Sequence, residues 1–492
     1  MEYETVIGLE VHVQLQTRSK MFCSCPADYQ AAPANSNVCP VCMGLPGTLP
    51  VINRKAVEYT VTTGLALNCR IPEYSKFDRK NYPYPDLMKG YQISQFDLPL
   101  AIEGTLEIEV DGSTKQVGIE RVHLEEDVAK LQHVNPLDAP SYSLVDINRS
   151  GTPLMEIVSK PDMRSADEAR AYLTKLHSVV QYLGVSAANM QEGNFRCDAN
   201  VSIRPKGDTE YGTRTEVKNM NSFRSVFLAL NYEVERQRRI VEDGGKVVQE
   251  TRGWVDDRNL TVSQRSKEHA HDYRYFPEPD LPPLIIAPAW VEEIRRRLPE
   301  LAIQRKTRFI EQHGLSEYDA RLLTNTRAMA DYYENVLGRK QIKGSALEAL
   351  AKNVSNWMLG DLSRLLNMAG QEITDSKVTP AHLADLVDLI DSGKLSVTMG
   401  KTVLEQAFAS GDVPSKIVEE NGYSQISDTS VVESAVADAI VENPKAVEDY
   451  LSGKESAAGF LVGQVMKITK GQAKPDLVQK LVRKRLDASN NT

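Results

Sequence analysis

Arg121-Val122-His123-Leu124-Glu125-Glu126-Asp127-Val128-Ala129-Lys130 places three acids, an imidazole and two cations in ten positions. Read as a strand, it sends Arg121, His123 and Glu125 to one face and Val122 and Leu124 to the other, so one side is ionisable and one apolar. The acids run on through Glu126 to Asp127, past the alternation. Carboxylates this close repel and raise one another's pKa unless a cation lies between them, which makes a hard divalent metal a natural occupant. The competing reading is a solvated acidic edge, since charge runs usually face water. The neighbouring segments decide between the two.

Val6 to Leu15 alternates in the same way, with Leu9, Val11, Val13 and Leu15 on one face and Glu10, His12 and Gln14 on the other. Phe195 to Ile203 sets Arg196, Asp198, Asn200 and Ser202 against Cys197, Ala199, Val201 and Ile203, and Arg214 to Asn219 carries Arg214, Glu216 and Lys218 on one face. Tyr142 to Thr152 reads as a further strand ending in a small-residue turn, where Gly151 lets backbone approach a ligand and Asn148 and Arg149 stand ready to orient it. One polar strand face is bland. Several that carry Glu, His, Asp, Arg and Lys predict a sheet lining a charged site, with carboxylates for magnesium and cations for a triphosphate. Lys76 to Asp86 reads as a proline-broken loop that gathers Lys76, Arg79 and Lys80 with Tyr82 and Tyr84, suited to nucleotide phosphates or else a plain basic surface loop. Arg265 to Pro277 adds a charged stretch in which His269 and His271, beside a lysine and two arginines, read as surface or substrate-contacting groups rather than metal ligands. No Gly-x-x-x-x-Gly-Lys-Ser/Thr loop occurs, so ATP use requires another architecture.

Four of the six cysteines lie in Cys23-Ser24-Cys25 and Cys39-Pro40-Val41-Cys42. Two close thiol pairs flanking a short loop supply four soft ligands for a structural zinc; two unrelated reduced pairs are the alternative. A redox pair fits less well, because Gly44, Pro46, Gly47 and Pro50 follow Cys42 rather than a strand and helix.

Two helices punctuate this region: one capped by Ser165 with Glu168 and running to Gly184, one from about Ser222 to Gly244. Beyond the prolines from Pro277 to Pro288 alternation gives way to helical spacing, with Ser316 and Asp319, Leu347 to Leu362, and Thr379-Pro380 as helix signals. The final segment gathers Lys454, Lys467, Lys470, Lys474, Lys480, Arg483, Lys484 and Arg485 against Glu455 and Asp476, an excess that fits a polyanion or a solvated helix face. A net charge of −9 argues against nucleic-acid binding by the whole surface but leaves room for this patch. At 492 residues, about three domains are expected. No apolar run is long enough for a membrane span, and Met1-Glu2-Tyr3-Glu4 does not open an export signal, so the cytoplasm is the expected compartment.

The stretches Gly8 to His12, Cys39 to Cys42, Lys76 to Tyr82, Tyr91 to Gln95, His123 to Asp127, Asn148 to Gly151, Arg196 to Asn200, Glu216 to Asn219 and Asp272 to Pro277 together resemble the B subunits of aspartyl/glutamyl-tRNA amidotransferases over nearly the full length. The resemblance implies an α+β fold: a cradle-like antiparallel sheet domain over 1–290, related to glutamine synthetase and guanido kinases and carrying a zinc loop at about 23–42. A helical domain over 291–405 and a YqeY-like helical tail over 406–492 would follow. It implies ATP-dependent phosphorylation of the side-chain carboxylate of glutamate on tRNA(Gln) or aspartate on tRNA(Asn), then amidation by ammonia. The ammonia would come from a separate amidase, the A subunit, with a small C subunit completing a heterotrimer. On this basis Glu10, His12 and Glu125 are expected around Mg2+, and Cys23, Cys25, Cys39 and Cys42 around Zn2+. The catalytic set is Glu10, His12, Glu125, Glu126, Lys80, Arg149 and Lys218. ATP is expected on Lys76, Arg79, Lys80, Tyr82, Asn148, Arg196, Asp198, Asn200 and Glu216, and tRNA on Lys467, Lys470, Lys474, Lys480, Arg483, Lys484 and Arg485. Ala129 stands where the family pattern leads us to expect glycine, which would matter if the backbone there needed positive φ. Two other readings compete: a zinc-bearing tRNA scaffold without phosphoryl chemistry, and Cys197 as a glutaminase nucleophile, the latter disfavoured by its place on an apolar strand face.

Overall fold

The computed structural model describes residues 2–134, 140–266, 272–339, 342–423, 429–469 and 473–489. The chain divides into two compact units, Met1–Leu301 and Ala302–Thr492. Among the described residues no helix is long and apolar enough to cross a membrane.

In chain order the first unit contains β1 (Tyr3–Gln14), α1 (Arg54–Ala66), β2 (Tyr74–Ser75), β3 (Asp78–Asn81), β4 (Tyr91–Ser94), β5 (Ala101–Val110), β6 (Ser113–Glu126), β7 (Lys130–Val134), β8 (Tyr142–Asp146), β9 (Pro153–Ser159), α2 (Ala166–Leu183), β10 (Phe195–Pro205), β11 (Thr215–Met220), α3 (Phe223–Glu242), β12 (Glu250–Val255), β13 (Leu260–Ser266), β14 (Phe276–Pro277), β15 (Leu284–Ile285) and α4 (Pro288–Arg296). Eight strands form one sheet in the order β13-β12-β11-β10-β1-β9-β6-β5. Its named pairings are antiparallel except β11 with β12, which run parallel because α3 carries the chain back between them.

The alternation in β1 is obeyed: Leu9, Val11 and Val13 are fully buried, each contributing roughly 1.5–3 kcal/mol of transfer free energy. They join one core with Tyr172, Leu173, Leu176 and Val180 of α2 and with Val226, Ala229 and Leu230 of α3. Helix α2 begins where the Ser165 side chain accepts the Glu168 N–H and ends at Gly184 in the left-handed region, φ 67°. The reciprocal bond of Glu168 goes to the Arg164 N–H at 2.6 Å.

Two expectations are corrected here, and one strand appears that the sequence did not announce. Lys76 to Asp86 is not wholly loop: Asp78–Asn81 is strand β3, held between β4 and β14. Tyr142–Asp146 is a strand, but it pairs with β7 in a separate hairpin, and Tyr142 and Leu144 stay exposed because no layer covers them. The central strand β9 gives no alternation, since all seven of its residues are buried.

The second unit holds α5 (Ala302–His313), α6 (Glu317–Leu323), α7 (Arg327–Leu337), α8 (Ser345–Trp357), α9 (Ser363–Ala369), α10 (Pro380–Asp391), α11 (Val397–Ser410), α12 (Pro414–Asn421), α13 (Thr429–Glu442), α14 (Pro444–Leu451), α15 (Ser456–Ile468) and α16 (Pro475–Ser489). Ser316, Thr379 and Ser396 cap their helices by accepting the N–H groups of Asp319, His382 and Met399. Trp290, Val291, Leu298 and Leu301 pack on the first unit's core, so that unit continues past 290. A limit at 405/406 would cut α11, and a distinct apolar cluster forms only from Val432 to Leu486.

Candidate active site and thiol cluster

The register of four strands brings the site together. His12 on β1 lies opposite Glu156 on β9, and Glu156 lies opposite His123 on β6. On the other side His12 faces Arg196 of β10, so Arg196, His12, Glu156 and His123 form one row across the sheet. His12 Nε2 is 3.3 Å from Glu156 and 3.7 Å from Glu125, and His123 Nε2 is 3.3 Å from the same Glu156 oxygen. Ligand atoms of His12, Glu125 and Glu156 lie within 4.8 Å of one another, and the donor set of two carboxylates and one imidazole suits a hard divalent cation. Burial lowers the His12 pKa, yet Glu156 and Glu125 outweigh it and lift it to about 9. Burial likewise works against the Glu156 carboxylate, while the two imidazoles hold it well below its usual range. His123 Nδ1 is buried without a hydrogen-bond partner.

Glu156 is the member that sequence reasoning missed; its only signal was one acid inside the apolar run Pro153-Leu154-Met155-Glu156-Ile157-Val158. Glu10, expected beside His12 and Glu125, stands outside that group. It sits one row away, opposite Asp198, and accepts from Asn200 Nδ2 at 2.8 Å. Burial raises its pKa, reinforced by Glu156, Asp198 and Glu216. Lys218 reaches Asp198 at 2.5 Å and Glu216 at 3.1 Å, and these acids, against the opposing pull of burial, keep its ammonium above the usual lysine range. Lys80 is held charged in the same way: burial opposes, Glu125 and Glu156 prevail.

Other expected residues face elsewhere. Glu126 accepts from Lys89 Nζ at 2.6 Å and from the Ile93 N–H, away from His12, because consecutive strand residues point to opposite sides. Lys76 is paired with Asp78 and Asp97, and Arg79 grips Glu278 at 2.6 and 2.8 Å and lies over Tyr91, so neither is the unbalanced cation a basic loop would offer. The Asn148 side chain accepts the Asn37 N–H and donates to Pro33 O, fixing the cysteine loop rather than pointing at the acids. Arg149 donates to Val128 O and Ala129 O. Ala129 is not among the residues of positive φ, so alanine brings no left-handed backbone strain there. Asp127, buried, accepts from Gln14 at 2.6 Å and Arg196 at 3.1 Å and lies 3.7 Å from Arg149, joining β1, β6 and β10 behind the row. Cys197 is buried among apolar groups and its thiol pKa is pushed up, which removes it as a nucleophile.

Sulfurs of Cys23, Cys25, Cys39 and Cys42 lie within 4.8 Å of one another. The Cys39 and Cys42 sulfurs are 3.8 Å apart, about the edge of a tetrahedron with metal–sulfur bonds of about 2.3 Å. A hydrogen bond with Cys23 lowers the Cys42 thiol pKa, helped by the fully buried Lys20, whose ammonium donates to Asn37 O at 3.0 Å. Gly151, at φ 82°, accepts the Met21 N–H at 2.6 Å and so ties this loop to the end of β6 through its own N–H to Asp127 O. In the second unit Lys467, Lys474, Lys480, Arg483, Lys484 and Arg485 are exposed on α15, α16 and the turn between them. Lys470, His269 and His271 lie outside the described residues.

A family model for the GatB/GatE catalytic domain matches residues 5–292, and one for the GatB domain matches 341–486. Relatives described as B subunits of aspartyl/glutamyl-tRNA(Asn/Gln) amidotransferase include one from Dehalococcoides mccartyi (strain CBDB1), 56% identical over 488 residues, which is 99% of each chain. Those from Carboxydothermus hydrogenoformans and Moorella thermoacetica are 56% identical over 485 residues and 55% over 488, covering 99% of this chain and 99% and 100% of theirs.

Proposed function

From the premise that this chain belongs to the GatB/GatE family, which its family matches and full-length likeness establish, we propose that it carries out ATP-dependent transamidation of Glu-tRNA(Gln), Asp-tRNA(Asn) or both. It is the B subunit of a tRNA-dependent amidotransferase. Its partners are the A subunit, an amidase that releases ammonia from glutamine, and the small C subunit, and work on charged tRNA would put it with the translation machinery of the cytoplasm. The observation that carries the chemical reading is the convergence of His12, Glu125 and Glu156 on one face of the central sheet.

A carboxylate is a poor acyl donor because its leaving group would be oxide; as an acyl phosphate it has a good one. The difficulty is bringing an acidic side chain and a triphosphate together. His12, Glu125 and Glu156 would hold magnesium, which when bound would supply positive charge for that encounter. Lys80 and Lys218 stay protonated against their burial and add fixed charge where phosphate oxygens and the transferring phosphoryl group would gather. Arg196, steadied by Asp127, adds a planar donor at the end of the row, and Glu10, Asp198, Asn200, Glu216 and Tyr82 border the same space. Asp127 and Gln14 keep the wall rigid, so little reorganisation accompanies the reaction. Ammonia then displaces phosphate to give the amide.

Cys23, Cys25, Cys39 and Cys42 would hold zinc as a staple, since four thiols at this separation fit tetrahedral ligation and none lies in the row of acids. The sheet domain would be of the glutamine synthetase and guanido kinase kind, with a helical domain and a YqeY-like tail whose exposed lysines and arginines meet tRNA. The test is Glu125→Gln in the reconstituted heterotrimer, assayed with Glu-tRNA(Gln) and Asp-tRNA(Asn) in parallel. Retained tRNA binding with loss of charged-tRNA-dependent ADP formation is expected; unchanged ADP formation overturns the reading.

A further inference from the structure

Asp272 to Pro277 lies along the edge of β3 and is fastened there with more care than a connection requires. The Asn81 N–H donates to Tyr273 O at 2.9 Å, and its side chain donates to Arg274 O at 2.9 Å. Arg274 is held in the left-handed region at φ 44°, a conformation an arginine adopts only under constraint, and its side chain is exposed. The rings that this strap presents form a ladder. Lys80 Nζ lies 5.1 Å from the Tyr273 ring centre, Tyr273 is 6.1 Å from Tyr275, and Tyr275 stacks on Phe96 at 4.2 Å and 10°. Tyr82 meets Tyr273 edge-on at 5.7 Å. The ladder begins among the charges of Glu125 and Glu156, which act on both Lys80 and Tyr275, and ends at Phe96, which is 58% exposed. Rings placed only to pack would be covered; Tyr273 and Phe96 in the ladder are exposed, as is Phe276 beside it on the strap.

Resting on the function proposed above, we propose that this ladder is a stacking platform for the terminal base of the charged tRNA, with Arg274 meeting the backbone phosphate behind it. The amino acid to be modified is an ester on the terminal ribose. Placing its side-chain carboxylate at Lys80 and Glu125 therefore fixes the base roughly 10 Å away, about three extended residues of chain. The ladder, with steps of 5.1, 6.1 and 4.2 Å between neighbours, offers ring faces on that scale. The same purine chemistry is present in ATP. The cations suited to a triphosphate, Arg196 and Lys218, stand on β10 and β11, whereas the ladder rises from β3, which leaves its side for the amino acid and the nucleoside that bears it. Aromatic faces accept any base and an adjacent cation takes the phosphate, the usual arrangement for unpaired nucleic acid.

The experiment uses the complete heterotrimer and tRNA whose terminal adenosine is replaced by 2-aminopurine riboside, whose fluorescence is quenched on stacking. Wild type should quench it on binding; Phe96→Ala should lose the quench and raise KM for charged tRNA roughly 5- to 100-fold, the effect of one base stack, with kcat and KM for ATP unchanged. Phe96→Trp should restore both. Arg274→Ala should weaken tRNA binding and flatten its salt dependence. No quench with wild type, or an unchanged KM for charged tRNA in Phe96→Ala, overturns the proposal. A rise in KM for ATP alone assigns the rings to the nucleotide triphosphate and overturns it too. Failure of the wild-type complex to make any amide would instead strike the proposed function, and the quench would still report on the platform.

Discussion

Glu156→Gln tests the central row most directly, because it removes one charge and keeps the shape. In the metal-free protein His12 titrates at about 9 against 6.5 when unfolded. A folded pKa above the unfolded one means that the imidazolium contributes its full stability below pH 6.5 and loses it as pH rises through 9. That gap corresponds to about 3 kcal/mol, at roughly 1.4 kcal/mol per tenfold change in proton affinity. The His12 side chain is 19% exposed, so solvent screening removes little of it. Glu125 remains 3.7 Å away in the variant and keeps part of the effect, so the expected cost of the substitution near pH 6 is about 2 kcal/mol. By pH 9.5 the imidazole is largely neutral in both proteins. The wild type then holds a buried carboxylate that has lost its imidazolium partner and keeps Lys80 as a nearby cation, so the cost should shrink towards zero. Because the chain holds two compact units, a global melt would mix their transitions. The assay is therefore hydrogen exchange of residues 153–159 in the presence of a chelator, which reads opening of β9 itself. An equal difference between the proteins at pH 6 and pH 9.5 would refute the reasoning, since a packing defect does not titrate.

Asp127→Asn should cost about 3 kcal/mol, as removal of one partner leaves Arg196 and Arg149 short of their buried counter-charge, and it should raise KM for ATP more than KM for charged tRNA; equal rises would count against a role on the nucleotide side. Acidification should release zinc from the four cysteines as protons compete for the thiolates, and Cys42→Ser should lower zinc content and expose 20–53 to protease; metal content by mass spectrometry decides. Lys480→Glu with Lys484→Glu on α16 should weaken tRNA binding and reduce its salt slope by about 0.7–0.9 for each phosphate no longer neutralised, while glutamine hydrolysis by the amidase stays intact. Binding that is equally weak at all salt concentrations would exclude a direct contact.

Period-two alternation made β1, β6, β10 and β11 visible in the chain, and with them His12, Glu125, Asp198 and Lys218. Strand β9 was invisible because a centre strand covered on both faces has no polar side to alternate with, and Glu156 was hidden with it. Helix α1 escaped for the opposite reason: Tyr59-Thr60-Val61-Thr62-Thr63 is rich in residues that favour strands, and tertiary packing of Val57, Val61 and Leu65 overrides that preference. That Lys76 and Arg79 are already paired was not legible, because a cation in sequence gives no sign of the acid that will neutralise it. Arg79 meets Glu278 from 199 positions away, a pairing only the folded sheet creates.

If the proposed cation binds there, the row through Arg196, His12, Glu156 and His123 would also make it a witness to correct folding. Side chains on a strand switch faces with every residue, so sliding β1 or β9 by a single position would turn its imidazole or carboxylate into the hydrocarbon layer beneath. Only one alignment of those strands assembles a binding pocket, and a ligand that prefers one alignment enriches it by mass action. Divalent ions present while the chain collapses would therefore act as a template, rewarding the one strand arrangement that can later do chemistry.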